Sequence, residues 1–345
     1  MKKILSILFI LLFLSCAINT LFEPNPIPDP RTLIAYQYPV NEVWQICIMN
    51  PDGSNKQVLT AHESLCSFPN WSPDGTKIAY HSDSDLYYYD LINSSEHIIT
   101  NSQMTPYFHI WGPDGLKLAF RSWEQSSGAI YTINVDGSGL KKITPEDHNT
   151  NDFPSWSPDG QTIVYESDFN IYTVKSDGTA NTQITFGDDR NDRKDSPVFS
   201  PDGSRIYFRH RPSSNIYMMN PDGSGMINLT ESIYIEHFSI SPDGLKIAYT
   251  SDKDIWIMDS DGRNKTNLTN EIIINSNPRW SPDGELIVYS TFSNESLSSG
   301  PRISDEDYSY IAVMRADGSE KKIITPIRDS IVLGYSASFS PYIDW

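Results

Sequence analysis

The apolar positions of this chain fall in short runs that recur at long intervals. Ile78-Ala79-Tyr80, Leu118-Ala119-Phe120, Ile163-Val164-Tyr165, Ile206-Tyr207-Phe208, Ile247-Ala248-Tyr249 and Ile287-Val288-Tyr289 are too short for helices and suit strands. Each follows a turn of nearly fixed composition: Ser72-Pro73-Asp74-Gly75, Gly112-Pro113-Asp114-Gly115, Ser157-Pro158-Asp159-Gly160, Ser200-Pro201-Asp202-Gly203, Ser241-Pro242-Asp243-Gly244 and Ser281-Pro282-Asp283-Gly284. Proline pre-sets φ, Asp suits the next position, and Gly takes the left-handed conformation that closes a bulged turn. Two residues before each proline stands Trp71, Trp111, Trp156, Phe199, Ile240 or Trp280. The prolines lie 40, 45, 43, 41 and 40 residues apart, a period that belongs to units of one four-stranded sheet.

A second hairpin interleaves with the first. Trp44–Met49 leads through Asp52-Gly53 to Thr60, and the pattern returns as Ile130–Thr144, Ile171–Thr185, Ile216–Thr230, Ile255–Thr269 and Ile311–Thr325, with a degenerate turn in Leu86–Thr100. Seven copies of this hairpin face six of the other, so one unit is split between the ends. Arg31–Tyr36 reads as the strand after a Pro-Asp-Gly turn, and Ser338-Phe339-Ser340-Pro341 as the strand before one. Joining them closes a ring and removes the free sheet edges that invite aggregation. The expectation is an all-β fold over residues 31–345: a seven-bladed β-propeller of four-stranded antiparallel blades, closed by pairing of N- and C-terminal strands.

The repeated Trp-Ser-Pro-Asp-Gly turn with its Ile-Ala-Tyr strand resembles the PD40, or WD40-like, repeat of TolB-type propellers, over nearly all of residues 31–345. TolB-type proteins pair a six-bladed propeller with an N-terminal α/β domain, so with seven units here their partner contacts do not carry over. Prolyl-oligopeptidase relatives add a hydrolase to a similar propeller, but this chain has no Gly-x-Ser-x-Gly elbow. Oligogalacturonate lyase also uses such a propeller, and its His-rich metal site finds no residue-by-residue match.

Lys2 and Lys3, an apolar run from Ile4 to Leu14 and then Ser15-Cys16 describe a secretory signal over residues 1–15. Phe13-Leu14-Ser15-Cys16 resembles the bacterial lipobox, Phe13 standing where Leu is usual, which makes Cys16 the lipidated residue. Residues 16–30, with Pro24, Pro26, Pro28 and Pro30, read as an extended tether. This implies a lipid-anchored protein of the bacterial cell envelope, at the periplasmic face of an outer membrane or the cell surface. Ordinary secretion with Cys16 incidental is the alternative. Three cysteines exclude a disulfide-built scaffold, and Cys47 and Cys66 read either as a bond or as two buried thiols. The net charge of −18 opposes nucleic acid as a partner.

With strands A to D counted outward from the axis, the tight A–B and C–D turns share one face, and the variable B–C and D–A loops share the other. The turn face collects twelve turn aspartates (Asp52, Asp74, Asp114, Asp136, Asp159, Asp177, Asp202, Asp222, Asp243, Asp261, Asp283 and Asp317). Function is expected on the loop face. Its longest loop, Thr291 to Tyr308, suits a flap or a tolerated insertion. In the fifth blade Arg190, Arg193, Lys194, Arg209, His210 and Arg211 project from that face. Guanidinium groups so placed suit a carboxylate or phosphate; equally, they suit pairing with Asp188, Asp189, Asp192 and Asp195. His109, His148 and His237 fall on or just before A strands near the axis, while His62 and His210 lie in loops. No His-x-His or Cys/His spacing supports a metal or cofactor. Asp259–Asn264 lacks the alternating acids of a calcium loop and reads as a hairpin turn. Tyr107, Trp123 and Tyr234 are candidate stacking platforms. These residues point first to a non-enzymatic envelope module that binds a protein or glycan. The competing readings are an enzyme on acidic polysaccharide, in which Arg neutralises a uronate and His109, His148 or His237 takes a proton, and a purely architectural spacer.

Overall fold

The computed structural model describes residues 32–101, 104–124, 127–145, 150–187, 190–211, 214–231, 234–271, 273–293, 308–325 and 343–344. The leader, tether and Cys16 readings, His148, Asp188, Asp189 and most of the loop from Thr291 to Tyr308 fall outside these residues.

Seven antiparallel sheets of four strands each account for nearly every described element. In blade 2 the strands run Cys66–Trp71, Lys77–Ser82, Asp85–Asp90 and Ser95–Ile98; in blade 3, Pro106–Trp111, Lys117–Glu124, Ser127–Asn134 and Lys141–Lys142. Blade 4 comprises Asn151–Trp156, Thr162–Ser167, Asn170–Lys175 and Thr182–Gln183; blade 5, Lys194–Phe199, Ile206–His210, Asn215–Met219 and Ile227–Asn228. Ile235–Ile240, Lys246–Ser251, Asp254–Asp259 and Thr266–Asn267 form blade 6, and Ile274–Trp280, Leu286–Ser293, Tyr308–Arg315 and Lys322–Ile323 form blade 7. Blade 1 takes three strands from the front of the chain, Ile34–Val40, Val43–Met49 and Gln57–Val58, and its innermost strand, Ile343–Asp344, from the back.

The repeated residues explain why each blade forms. In the A–B turn, Ser72 Oγ donates to Asp74 Oδ1 at 2.6 Å and accepts from Lys77 N at 2.9 Å, while Gly75 N reaches Ser72 O at 2.8 Å with φ +70°. Strands C and D are fastened by a threonine 14 residues beyond the first isoleucine or leucine of strand C. Ile46 N donates to Thr60 Oγ1, Leu86 N to Thr100, Ile130 N to Thr144, Ile171 N to Thr185, Ile216 N to Thr230, Ile255 N to Thr269 and Ile311 N to Thr325, at 2.8–3.1 Å. The threonine is buried in the first six blades, so its hydroxyl replaces the water that the strand-C amide loses on folding.

Between blades the core divides into seven hydrophobic clusters, one at each junction. The cluster that joins Ile34, Tyr36, Cys47 and Met49 of blade 1 to Val288, Ile311, Val313 and Ile324 of blade 7 makes the series a ring. Lys322 Nζ donates to Asp52 O across the same junction at 2.7 Å. On the turn face the glycine of each Pro-Asp-Gly turn from blade 3 to blade 7 lies against the proline of the turn before it, with the would-be β-carbon of Gly203 3.4 Å from Pro158 Cδ. The final seal is the register Ala35↔Asp344 and Tyr36↔Ile343. The equivalent of Asn70 opposite Ala79 in blade 2 is therefore Asp344, and the closing pair expected at Ser338–Pro341 is made by Ile343–Asp344 instead. Residues 338–341 lie outside the described residues. Cys47 and Cys66 are free and buried in separate clusters, where burial pushes both thiols above their ordinary range, Cys47 to about 12.

Candidate functional site: the loop face of blades 3 to 6

The strand-B residue just after the apolar triplet is where the repeat stops repeating. After the apolar triplet come Gln37, His81, Arg121, Glu166, Arg209, Thr250 and Ser290 in blades 1 to 7. Opposite them on strand A stand Ser67, Tyr107, Asp152, Asp195 and Ser276 in blades 2, 3, 4, 5 and 7. Strand alternation turns this position inward near the loop face, so a polar layer lies just under that surface.

In blades 3 to 6 the layer is ionic and connected. Arg121 Nε stands 3.0 Å from Asp152 Oδ1 of the next blade. Arg193 straddles Glu166, with Nε 2.8 Å from Oε1 and Nη2 2.9 Å from Oε2, and lies 3.4 Å from Asp195. Asp195, fully buried, also receives Arg209 Nε at 2.7 Å and Arg211 Nε at 3.4 Å. Arg209 Nη1 then donates to Glu236 O of blade 6 at 2.5 Å. Below this strap, Lys194 is buried and its ammonium donates to Asp192 Oδ2 and Asp192 O, both at 2.8 Å, and to Phe186 O at 3.3 Å. His210 Nε2 meets Asp192 Oδ1 at 2.6 Å. Arg190 sits exposed on a single 3-10 turn, Arg190–Asp192. Arg193, Lys194, Arg209, His210 and Arg211 are thus brought together, each against an acid of the same blade or its neighbour.

Burial sets the protonation of the acids. It raises Asp152 above the usual carboxylate range, against the pull of Arg121 and Arg193. It lifts Glu166 to about 7, against the same pull from Arg193. Viewed from the other end, Glu166 outweighs burial and holds Arg193 above its own range, so the two partners differ on which effect wins. The guanidinium is charged either way. The carboxyl is the group that titrates, and its direction is upward chiefly because the site is nearly dry, with Asp195 and Asp152 adding to the effect.

The histidines do not assemble. His109 is buried in blade 3 beside His81; burial holds it neutral, down to about 4. Neither of its ring nitrogens reaches good hydrogen-bond geometry, and the Ala79 and Phe68 backbones offset burial only in part. His237 belongs to blade 6, with Nδ1 3.4 Å from Ser276 Oγ. Its surface is open, yet walls stand close around it. That enclosure, and then Arg279 and Arg209, depress its basicity. Among the described residues no three His, Cys, Asp or Glu side chains are grouped to hold a metal.

One array had no signal in sequence. His62 Nδ1 lies 3.2 Å from Ser82 Oγ and His62 Nε2 lies 3.0 Å from Glu96 Oε2, which also accepts from Tyr80 Oη. The order is that of a Ser-His-acid triad, but Ser82 has no exposed surface. A serine stands at the same repeat position in blades 3, 4 and 6 (Ser122, Ser167, Ser251), so its role is packing.

Above the ionic layer the surface is aromatic. Trp123 is 47 % exposed and lies over buried Arg121, with Cζ 3.8 Å from the ring centroid. Gly128 makes room for this: a β-carbon there would stand 2.7 Å from Arg121 Nε. Phe186 (76 % exposed) and Tyr234 (58 %) occupy the D–A loops that enter blades 5 and 6. These three are the exposed aromatic side chains among the described residues, and all lie on the loop face. Trp123 and Tyr234 are platforms expected from the sequence, whereas Phe186 sits in a loop without periodicity that marks no such role. Tyr107, half-buried, packs on His81 with ring centroids 5.3 Å apart. Two clefts, of about 710 and 500 Å³, lie instead on the turn face at the 4–5 and 6–7 junctions. Equivalent residues line both (Ser157 and Ser241, Asp159 and Asp243, Phe199 and Trp280), as expected of repeat architecture rather than a particular site.

A closed ring with a regular turn face and an individual, charge-strapped loop face defines a propeller scaffold that presents one surface. Residues 31–255 match the PD40 family, described as the TolB beta propeller domain, and the chain belongs to that family. An uncharacterized protein of Agrobacterium fabrum is 31 % identical over 272 residues, 70 % of this chain and 90 % of its own length. The Tol-Pal system protein TolB of Francisella tularensis subsp. mediasiatica is 29 % identical over 234 residues, 63 % of this chain and 50 % of that protein, so the chain spans about half the length of such relatives. Of solved structures, TolB from Acinetobacter baumannii superposes with a TM-score of 0.52 at 23 % identity, over 70 % of this chain and 64 % of that one. An oligogalacturonate lyase in complex with manganese gives 0.64 at 14 % identity, over 75 % and 82 %. Both likenesses are of fold.

Proposed function

We propose that this chain is a non-enzymatic binding protein of the bacterial envelope, held to a membrane through Cys16, that docks a protein partner on the loop face of blades 3 to 6. The arrangement of Trp123 on Arg121, itself pinned by Asp152, carries the reading. An exposed aromatic ring held rigid by a buried guanidinium suits a binding anchor, since aromatic and arginine side chains dominate interface energetics and rigid ones lose less entropy. Phe186 and Tyr234 extend the same surface, and Arg190 and Arg211 supply charge at its rim. Relatives named for the Tol-Pal system favour a protein partner over a glycan. The lyase reading needs guanidinium groups turned toward a uronate, whereas those of Arg193, Arg209 and Arg211 converge on Asp195.

The test is in-cell photo-crosslinking from positions 123, 186 and 234, followed by quantitative capture of the crosslinked partner. Trp123→Ala with Phe186→Ala is expected to reduce capture at least tenfold without lowering the melting temperature, and Asp222→Asn on the turn face to leave it unchanged. Equal capture by the double variant removes the loop face from the reading. Release of Cys16→Ser into the soluble fraction checks the anchor separately.

A further inference from the structure

Strand D departs from the repeat at one position. Three residues before the clasping threonine stand Gln57, His97, Lys141, Thr182, Ile227, Thr266 and Lys322 in blades 1 to 7. Where the residue is lysine, its side chain crosses to the next blade. Lys141 Nζ donates to Asp177 O of blade 4 at 2.5 Å, and Lys322 Nζ to Asp52 O of blade 1 at 2.7 Å. The acceptor is the same in both, the carbonyl of the aspartate in the neighbour's C–D turn. The stem of Lys141 runs over the glycine of that turn, its Cε 3.6 Å from where a β-carbon on Gly178 would stand. A lysine combines an apolar stem with three N–H donors at its tip, so it lies along the junction and satisfies a turn carbonyl at once.

The two turn-face clefts fall at the junctions where this residue is threonine. Thr182 and Thr266 are too short to cross. Their hydroxyls turn back to their own hairpins, to Ala180 O at 3.3 Å and Asn264 O at 3.4 Å. Asp222 O of blade 5 and Asp317 O of blade 7 hold the place of Asp177 O and Asp52 O, and among the described residues nothing donates to either. The larger cleft, of about 710 Å³, has Pro158, Phe199 and Pro221 as apolar walls and Asp159 and Asp202 as its anionic groups. Hydrogen bonds within the turns hold both carboxyls below the ordinary range. The lysines on the walls are engaged inside their own blades: Lys175 Nζ donates to Thr162 Oγ1 at 3.3 Å, and Lys246 Nζ meets Asp259 Oδ1 at 2.5 Å.

We propose that these two clefts are equivalent binding sites for a linear aliphatic diamine or polyamine, one ammonium taking the place of the absent lysine tip at Asp222 O or Asp317 O. The methylene chain lies along the proline walls, and the second ammonium faces the carboxylates of the Pro-Asp-Gly turns. The repeat builds a groove at a junction, and the chain itself shows at two other junctions which chemistry occupies it. Charge favours the same choice, since the net −18 draws cations to such a surface. For a ligand of about seven heavy atoms the dissociation constant is expected on the order of 1 mM. The clefts lie on the face opposite Trp123, Phe186 and Tyr234, so they are filled or left empty irrespective of the partner surface.

The full chain, isotope-labelled, is titrated with 1,5-diaminopentane while NMR follows the amides of Gly203 and Gly284, which line the two clefts. Gly160, which lies against Pro113 at the junction that Lys141 crosses, is the internal reference. Saturable shifts are expected at Gly203 and Gly284, at least tenfold tighter than any response at Gly160. Magnesium, of equal charge but without a stem, should act at least tenfold more weakly. Thr182→Lys is expected to abolish the response at Gly203 and spare Gly284, Thr266→Lys the reverse, and Lys141→Thr to give Gly160 a saturable response of its own. Both threonines are exposed and receive a residue that the repeat already carries there, so the melt should be unchanged. If a variant fails to fold, Gly203 against Gly160 in the unaltered protein decides alone. No saturation by about 20 mM, an equal response at Gly160 or to magnesium, or a Gly203 response that survives Thr182→Lys overturns the proposal.

Discussion

Single carboxyl groups in this protein do opposite things according to where the repeat places them. In the turns, Asp202 accepts from Ser200 Oγ, Ser204 N and Ser204 Oγ, which hold it down to about 2, so it stays ionised in any ordinary buffer. In the polar layer, burial lifts Glu166 to about 7 from 4.5. A raised carboxyl favours the folded state fully below pH 4.5, and that contribution is lost as pH rises through about 7. The buried histidines, His109 most clearly, pull the other way because they must charge in acid. The informative quantity is thus the gap between Glu166→Gln and the parent. Urea denaturation should show that gap moving in favour of the variant by about 3 kcal/mol between pH 4.5 and 8; a constant gap would mean that Arg193 keeps Glu166 ionised throughout. Residues of this kind were only half legible. The letters just after the strand-B triplet can be lined up by eye, but their pairing cannot. Lys194 and Asp195 read as part of a charged entering loop because charge in a loop is ordinarily exposed, whereas both are buried at the start of strand A.

Turns and strands were the most legible elements, because their chemistry is local. Ser-Pro-Asp-Gly satisfies its own hydrogen bonds, and the Thr clasp acts across one hairpin. What lies against a turn is not local, and it separates glycines that look alike in sequence. At Gly203, φ +72°, a β-carbon would meet Pro158 Cδ at an ordinary 3.4 Å, so Gly203→Ala carries only the backbone cost, about 1–2 kcal/mol. At Gly223, φ +84°, the same atom would stand 2.2 Å from Ile184 O of blade 4, and the carbonyl has to move. Gly223→Ala should therefore unfold at clearly lower urea than Gly203→Ala. The strand-A bulges escaped notice because Phe68, Phe108 and Phe153 hold a conformation that a sequence ordinarily marks with Gly or Asn.

At the scale of the whole molecule, ring closure was expected and its partner misplaced. Ser338-Phe339-Ser340-Pro341, with its likeness to the Phe-Ser-Pro of blade 5, is the more visible choice in sequence, while Ile343–Asp344 is marked only by the Trp345 that follows it, in line with Trp71. Removing residues 343–345 strips the inner edge of Ile34–Val40 of its partner. It is expected to lower the melting temperature and to produce concentration-dependent association by light scattering, since an unpaired strand edge templates pairing with another chain. An unchanged, monodisperse truncation would show that the junction cluster alone holds the circle.

Because the innermost strand of the first blade is supplied by residues 343–344, a nascent chain carries that blade unfinished until those residues have left the ribosome. Blades 2 to 7 can form as they emerge, whereas the first must wait for residues 343–344. A ribosome stalled before codon 343 would hold a product with every other sheet complete and one raw flank. Quality control that senses unpaired backbone has, in this design, a single place to look.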